Sequence, residues 1–319
     1  MGLYDTATEE LWQRLKRPFE PAAAVQALTG LHANAARQLV ALHLAGSPEA
    51  DLLLDRMHDI VRTLAIATTS HPVRTTGEVR GPILWSETIA ARTASPGASG
   101  VLICSSPVKA YDTPENHVLA YSLARIRDAA QAIERHPAEP VAGTLSRRAR
   151  HNGTRAARAL EHRTLAGIDR TKPHGRELRA ARSGSRSRHY RPAVAMLERA
   201  MDPVPAAVIV AITNARTKRQ HGLLLAVLDR LDPAAGTLQI EDAGVLCGPV
   251  RYLHPHRPGP DGVYGILVDG LLLDVPDGDR DPAQAELDLI ARANGRPALV
   301  VRGPADVDRA LRLTGLGST

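Results

Sequence analysis

The sequence predicts an α+β protein: a helical N-terminal layer, a small central module of β-hairpin and helix, and a C-terminal α/β domain. Three observations carry this. Apolar residues recur at helical spacing through residues 1–75. Residues 80–116 read as strand, turn, strand and capped helix. From residue 201 onward, apolar runs of strand length alternate with helical patterns and turn signals.

At 319 residues the chain has room for two or three modules and can bury a sizeable core. Aromatic residues make up only 3 %, so that core is expected to be Leu, Val, Ile and Ala. The basic residues are nearly all Arg, with lysine only at Lys16, Lys109, Lys172 and Lys218. A net charge of +6 favours a polyanionic partner. Cys104 and Cys247 form neither a disulfide framework nor a zinc pattern. A polar, acid-bearing start and the lack of an apolar run near 20 residues argue against a signal peptide or membrane span, so a cytoplasmic location is expected.

Residues 1–75 are expected to be helical. Leu11, Trp12 and Leu15 share one face of a stretch that Pro18 and Pro21 end. Ala22–Leu44 repeats the pattern, with Gly30 inside it costing about 1 kcal/mol relative to Ala, so two shorter helices are an alternative. Gly46-Ser-Pro48 is a turn. Pro48–Thr68 reads as one helix with Leu52, Leu53, Met57, Ile60, Val61 and Leu64 on a broad stripe.

Residues 76–145 form the central module. Arg80-Gly-Pro-Ile-Leu-Trp-Ser-Glu-Thr88 reads as a strand, with Trp85 as a core or hairpin anchor. Ala94–Gly100 is a small-residue turn and Val101–Cys104 a second strand. Tyr111-Asp-Thr-Pro-Glu-Asn116 opens a helix: Thr113 is the cap, Pro114 the first helical residue, and Glu115 the acid of the first turn. Val118, Leu119, Leu123 and Ile126 are its apolar stripe. Asn116 is expected to hold a turn or reach a neighbouring backbone group, and Glu87, Asp112 and Glu115 are not read as metal ligands.

This pair of signatures resembles a segment of McrC-like proteins and their relatives of the DUF2357 type. There a Gly-x-Ile-x-Trp-x-x-Thr strand precedes, after a short hairpin, an Asp-Thr-x-Glu-Asn helix start. The likeness covers about forty residues and continues weakly through Tyr190-Arg-Pro and Ala215–Leu231. It implies a partner subunit of an AAA+ NTPase motor in a restriction or antiviral defence system, acting on DNA. It also implies a C-terminal restriction-endonuclease-like domain of the PD-(D/E)xK type, and makes the N-terminal helices a candidate docking surface for the motor.

Residues 146–200 form an Arg-rich helical arm. Over 146–191, thirteen Arg and one Lys face three acids, a net of +11, which leaves the rest of the chain net acidic. Arg147, Arg148, Arg150, Arg155, Arg158, Arg163, Lys172, Arg176, Arg179, Arg182, Arg186 and Arg188 are candidate nucleic-acid-binding residues. Two basic helices around a turn at Lys172-Pro-His-Gly175 suit a phosphate backbone. Tyr190 is the segment's one aromatic residue, which disfavours single-strand stacking. An acidic protein partner or a solvated face are the other readings of this charge. Arg186–Arg191 is expected to be a loop.

Residues 201–319 read as a helix-flanked mixed sheet, the class to which PD-(D/E)xK nucleases belong. Ala206–Ile212 suits strand or helix, and Thr213–Leu231 a helix. A turn follows at Pro233–Gly236. Strands are expected at Thr237–Ile240, Val250–Leu253, Val263–Val268 and Leu271–Val275, the last two joined by the hairpin signal Asp269-Gly270. Asp281 caps a helix, Pro297–Val301 is a strand, and a final helix begins at Pro304. His254-Pro-His256 is read as a loop with two surface histidines, not a zinc site.

Such a nuclease holds one or two Mg²⁺ ions between carboxylates on adjacent strands and needs a lysine two residues beyond the second acid. Asp261, Asp269 and Asp274 are the candidate catalytic acids, with Asp274–Asp279 an acidic loop. No lysine follows Lys218. The domain therefore reads as a degenerate nuclease without a cofactor, Mg²⁺ entering only if the site is active. The expected function is a DNA-associated accessory subunit that binds duplex backbone largely without sequence preference. An active Mg²⁺-dependent endonuclease and a protein-interaction scaffold without a nucleic-acid role are the alternatives.

Overall fold

Gly30 ends the first long helical pattern: it caps α2 in the left-handed region, at φ 71°. The computed structural model describes residues 3–95, 97, 99–135, 143–231, 237–241, 244–256, 258–259, 261–276 and 281–316. Its helices are α1 (Leu3–Gln13), α2 (Pro21–Thr29), α3 (Ala33–Ala45), α4 (Pro48–Asp55), α5 (Met57–Arg62), α6 (Trp85–Ala94), α7 (Pro114–Arg135), α8 (Thr144–Leu160), α9 (Gly175–Ser183), α10 (Ser187–Met201), α11 (Ala206–Ile212), α12 (Ala215–Leu231), α13 (Pro282–Arg292) and α14 (Pro304–Leu313). Its strands are β1 (Ala67–Thr76), β2 (Val101–Ala110), β3 (Gln239–Glu241), β4 (Gly244–Cys247), β5 (Val250–Leu253), β6 (Gly265–Val268), β7 (Leu271–Asp274) and β8 (Ala298–Val300). The protein is thus mixed α+β, with a two-stranded and a six-stranded sheet. Among the described residues no helix is long and apolar enough to cross a membrane.

One compact unit comprises Met1–Ser47, Ala129–Arg150 and Glu198–Thr319. Its sheet is an antiparallel meander from β3 to β7, and β8 joins β7 in parallel after α13. The β6–β7 hairpin turns on Asp269 and Gly270, at φ 45° and 87°, as a two-residue primed turn requires. Leu11 and Trp12 of α1, Val25 and Leu28 of α2, and Leu224 and Val227 of α12 share one core with Tyr252, Ile266 and Leu273 of the sheet and Leu311 of α14. The N-terminal helices therefore complete the core of the C-terminal sheet. Backbone pairing adds to this: Lys16 N–H donates to Leu238 O at 2.7 Å, and Leu238 N–H to Arg14 O at 2.9 Å. The expected turn at 233–236 and the part of the acidic loop at 277–279 lie outside the described residues.

The other unit comprises Pro48–Asp128 and His151–Leu197. The helix expected to run to Thr68 divides into α4 and α5 and stops at Arg62. From Ala67 the chain is strand, because the β-branched Thr68 and Thr69 and then Pro72 disfavour helix. β1 pairs with β2 in antiparallel register from Ala67 opposite Ala110 to Thr76 opposite Val101. The strand expected over Arg80–Thr88 is reduced to a bridge between Ile83 and Cys104, and α6 follows it. Ser105 N–H to Pro82 O and Leu84 N–H to Ile103 O add two further bonds to β2 after Gly81, at φ 135°, and the helix begins directly at Trp85. Trp85 is 60 % exposed and anchors no core; α6 buries Thr88, whose hydroxyl accepts from Ile103 N–H at 2.9 Å. Glu87 lies in the first turn of α6 rather than at a strand end.

α7 starts where the sequence placed it. Asn116 N–H reaches Thr113 Oγ1 at 3.4 Å, and Val118, Leu119, Leu123 and Ile126 are buried. Cys104 is buried as well. The expected loop Arg186–Arg191 is helical from Ser187 onward, because Tyr190 finds a buried site that fixes the first turn of α10. The two units interleave along the chain, so segments drawn by composition at 75, 145 and 200 cut across them.

Candidate nucleic-acid interface and strand-end acid cluster

Positive charge gathers in one unit. Pro48–Asp128 with His151–Leu197 carries nineteen Arg and Lys against twelve Asp and Glu, a net of +7; the remainder carries twenty-one against twenty-two. Arg158, Arg163, Lys172, Arg176, Arg179, Arg182 and Arg188 are exposed there. Two of the candidates have structural work instead. Arg155 pairs with Asp55 at 2.7 Å, and Arg186 donates to the carbonyls of Thr63, at 3.3 Å, and Leu64. Arg147 and Arg150, both exposed, and the half-buried Arg148 belong to the other unit. Arg191, exposed and one helical turn beyond Arg188, joins the set; its signal in the sequence was that three-residue spacing.

Buried polar bonds hold this basic surface in place. The Tyr190 hydroxyl donates to Asn116 Oδ1 and accepts from Ala65 N–H at 2.8 Å. Asn116 Nδ2 donates to Ala65 O at 2.9 Å and Tyr111 O at 2.7 Å, the backbone reach expected of it. Burial pushes the Tyr190 phenol up to about 12. His117 Nδ1 lies 2.6 Å from Glu177 Oε1, while His174 N–H donates to Glu177 Oε2 at 2.6 Å, closing the start of α9. Desolvation works against the charged Glu177, yet these two bonds hold its carboxyl below the usual range.

The three candidate acids fare differently. Asp261 is exposed and pairs with Arg296 at 2.5 Å. Asp269 is the hairpin residue already described. Asp274 ends β7, 5 % exposed. Its Oδ1 accepts from Gln220 Nε2 at 3.0 Å, and its Oδ2 from Arg216 at 3.4 Å and from Arg292. The Arg292 guanidinium lies 4.6 Å from the Tyr264 ring centroid. Arg216, Tyr264, Asp274 and Arg292 border a cleft of about 470 Å³ whose apolar wall includes Leu289 and Val300. Among the described residues no group of three His, Cys, Asp or Glu is arranged to hold a metal ion.

His254 is not at the surface. It is buried, with Nε2 3.0 Å from Thr217 Oγ1 and Nδ1 accepting from His256 N–H at 3.1 Å; only His256 is exposed. The ring fills the space left by Gly30, where an added Cβ would meet it at 1.8 Å. His221 on α12 is buried too, 2.9 Å from Thr8 Oγ1. Desolvation, with neighbouring positive charge, lowers His254 to about 4 and His221 to about 3. The sequence signal for His221 was its place on the face of Leu224 and Leu228.

No protein-family model and no curated protein matches this chain.

Chemically, the two sites differ. A carboxylate shared by two guanidinium groups and an amide is a neutralised structural ion pair, with its oxygens occupied. The exposed guanidinium groups of α8, α9 and α10 are hydrated donors on ordered helices, the chemistry that meets phosphate oxygens.

Proposed function

We propose that this protein is a DNA-associated accessory subunit of a McrBC-like restriction or defence system, working beside an AAA+ NTPase. It binds duplex backbone through exposed arginines and carries a degenerate nuclease centre. The observation that carries this reading is the net +7 of one unit, with Arg158, Arg163, Arg176 and Arg179 exposed and paired with no carboxylate among the described residues. Tyr190, the only aromatic of the basic segment, is fully buried, which favours a duplex over a stacked single strand. The helix-flanked mixed sheet agrees with a restriction-endonuclease-like domain, and the engagement of Asp274 by Arg216, Arg292 and Gln220 agrees with its degeneracy.

One observation favours a second reading, a protein-docking scaffold. Trp85 and Ile89, one turn apart on α6, are 60 % and 61 % exposed, and such apolar exposure suits a protein partner.

The deciding experiment is binding of labelled duplex DNA across a salt series, with and without Mg²⁺. The wild type is compared with a variant in which Arg158, Arg163, Arg176 and Arg179 are all Ala. The expected result is affinity that falls steeply with salt, a slope reduced by roughly 3 to 4 in the variant, and intact DNA. Absence of binding at low salt, or a variant indistinguishable from wild type, overturns the interface. Mg²⁺-dependent cleavage overturns the degenerate centre.

A further inference from the structure

Arg188 and Arg191 lie early in a helix that buried bonds hold in place. Only Gly184-Ser185-Arg186 separates α9 from α10. A Cβ at Gly184 would lie 2.5 Å from Ala180 O, so this tight turn needs glycine. Arg186 is tied to the carbonyls of Thr63 and Leu64. Within the first turn of α10, Tyr190 is buried and bonded to Asn116 and Ala65. Ala193 O then accepts from Ser122 Oγ at 3.0 Å. One side of the helix is thus immobilised, and Arg188 and Arg191, three residues apart, are exposed. Arg188 Nε donates to His189 Nε2 at 3.0 Å, and Arg191 pairs with no carboxylate among the described residues.

Phosphates form a continuous target that a loosely held arginine can follow. A base edge is not: the guanidinium fork must meet O6 and N7 of guanine in one plane, which demands a rigid carrier. Two helices joined by a three-residue turn, with exposed donors early in the second, suit insertion of that second helix into the major groove. We propose that Arg188 and Arg191 read base edges there and give the protein a preference for guanine-containing duplex sites. The inference rests on the duplex-binding reading and adds selectivity to it.

The test uses the full chain and a duplex pool randomised over its central positions, followed by competition between the most enriched duplex and a scrambled one of equal composition. The wild type is expected to prefer the enriched duplex by about tenfold or more. Arg188→Lys with Arg191→Lys keeps the charge and loses the fork; its preference is expected to fall to within about twofold with the salt slope unchanged. Arg309→Lys with Arg312→Lys, exposed arginines at the same spacing on α14 of the other unit, is expected to keep the preference. If the wild type binds duplex but enriches no sequence, the base-reading inference fails and backbone binding stands. If the Arg188/Arg191 variant keeps the preference, or the Arg309/Arg312 variant loses it to the same extent, these two residues do not carry it. If the wild type binds no duplex, the underlying reading fails as well.

Discussion

Tyr190 and Asn116 bond to each other in the interior, and both also bond to the backbone of Ala65. Tyr190→Phe keeps the ring but leaves Asn116 Oδ1 and Ala65 N–H without that hydroxyl. An unfolding free energy lower by about 1–3 kcal/mol is expected. Urea denaturation checks it, and an unchanged midpoint with an unchanged slope would count against this bond as a stabilising contact.

Acid weakens the protein before its carboxylates titrate. An unfolded histidine has a pKa near 6.5, whereas His221 and His254 are held at about 3 and about 4 in the folded state. The unfolded chain therefore binds more protons below pH 6.5. Their full contribution is present above that pH and is lost as pH falls toward 4, with a slope of up to about 1.4 kcal/mol per pH unit for each group. Unfolding measured between pH 7.5 and 5 is expected to show this fall, made shallower by His254→Asn. A flat profile across that interval would mean the rings are solvated.

Asp274 is predicted to matter for stability. Asp274→Asn leaves Arg216 and Arg292 without their shared counter-charge, at a cost of roughly 3 kcal/mol. Asp261→Asn removes only an exposed pair and is expected to stay within about 0.5 kcal/mol. Thermal unfolding of the two variants side by side checks the contrast.

Trp85→Ala is expected to change the unfolding free energy by less than about 0.5 kcal/mol, because the indole is mostly exposed. Gly30→Ala is expected to cost well over about 1 kcal/mol, since it combines a left-handed backbone with a collision against His254. Denaturation midpoints decide both; a strongly destabilised Trp85 variant would mean the ring packs against the fold.

Where the local chemistry is specific, the sequence was readable. Thr113-Pro-Glu starts α7 and Asp269-Gly270 turns a hairpin, because caps and positive-φ turns depend on a few adjacent residues. β1 was hidden because it is exposed along nearly its whole length, so no apolar alternation marks it. α6 misled for the opposite reason: Trp85 looks like a core residue and faces solvent. The Asp274 cluster draws Arg216 and Gln220 from α12 and Arg292 from α13, a grouping without any local spacing pattern. Of the basic arm, total charge was legible, but not that Arg155 and Arg186 are spent on Asp55 and on two carbonyls.

The shared core of α1, α2, α12, α14 and the sheet has a temporal consequence. Leu11, Trp12 and Leu28 leave the ribosome well before their partners Ile266, Leu273 and Leu311. At about 5–20 residues per second, α1 and α2 wait on the order of tens of seconds for the strands that complete their core. Through that interval the nascent chain presents an amphipathic surface still short of its partners. These helices are made well before the strands that bury them.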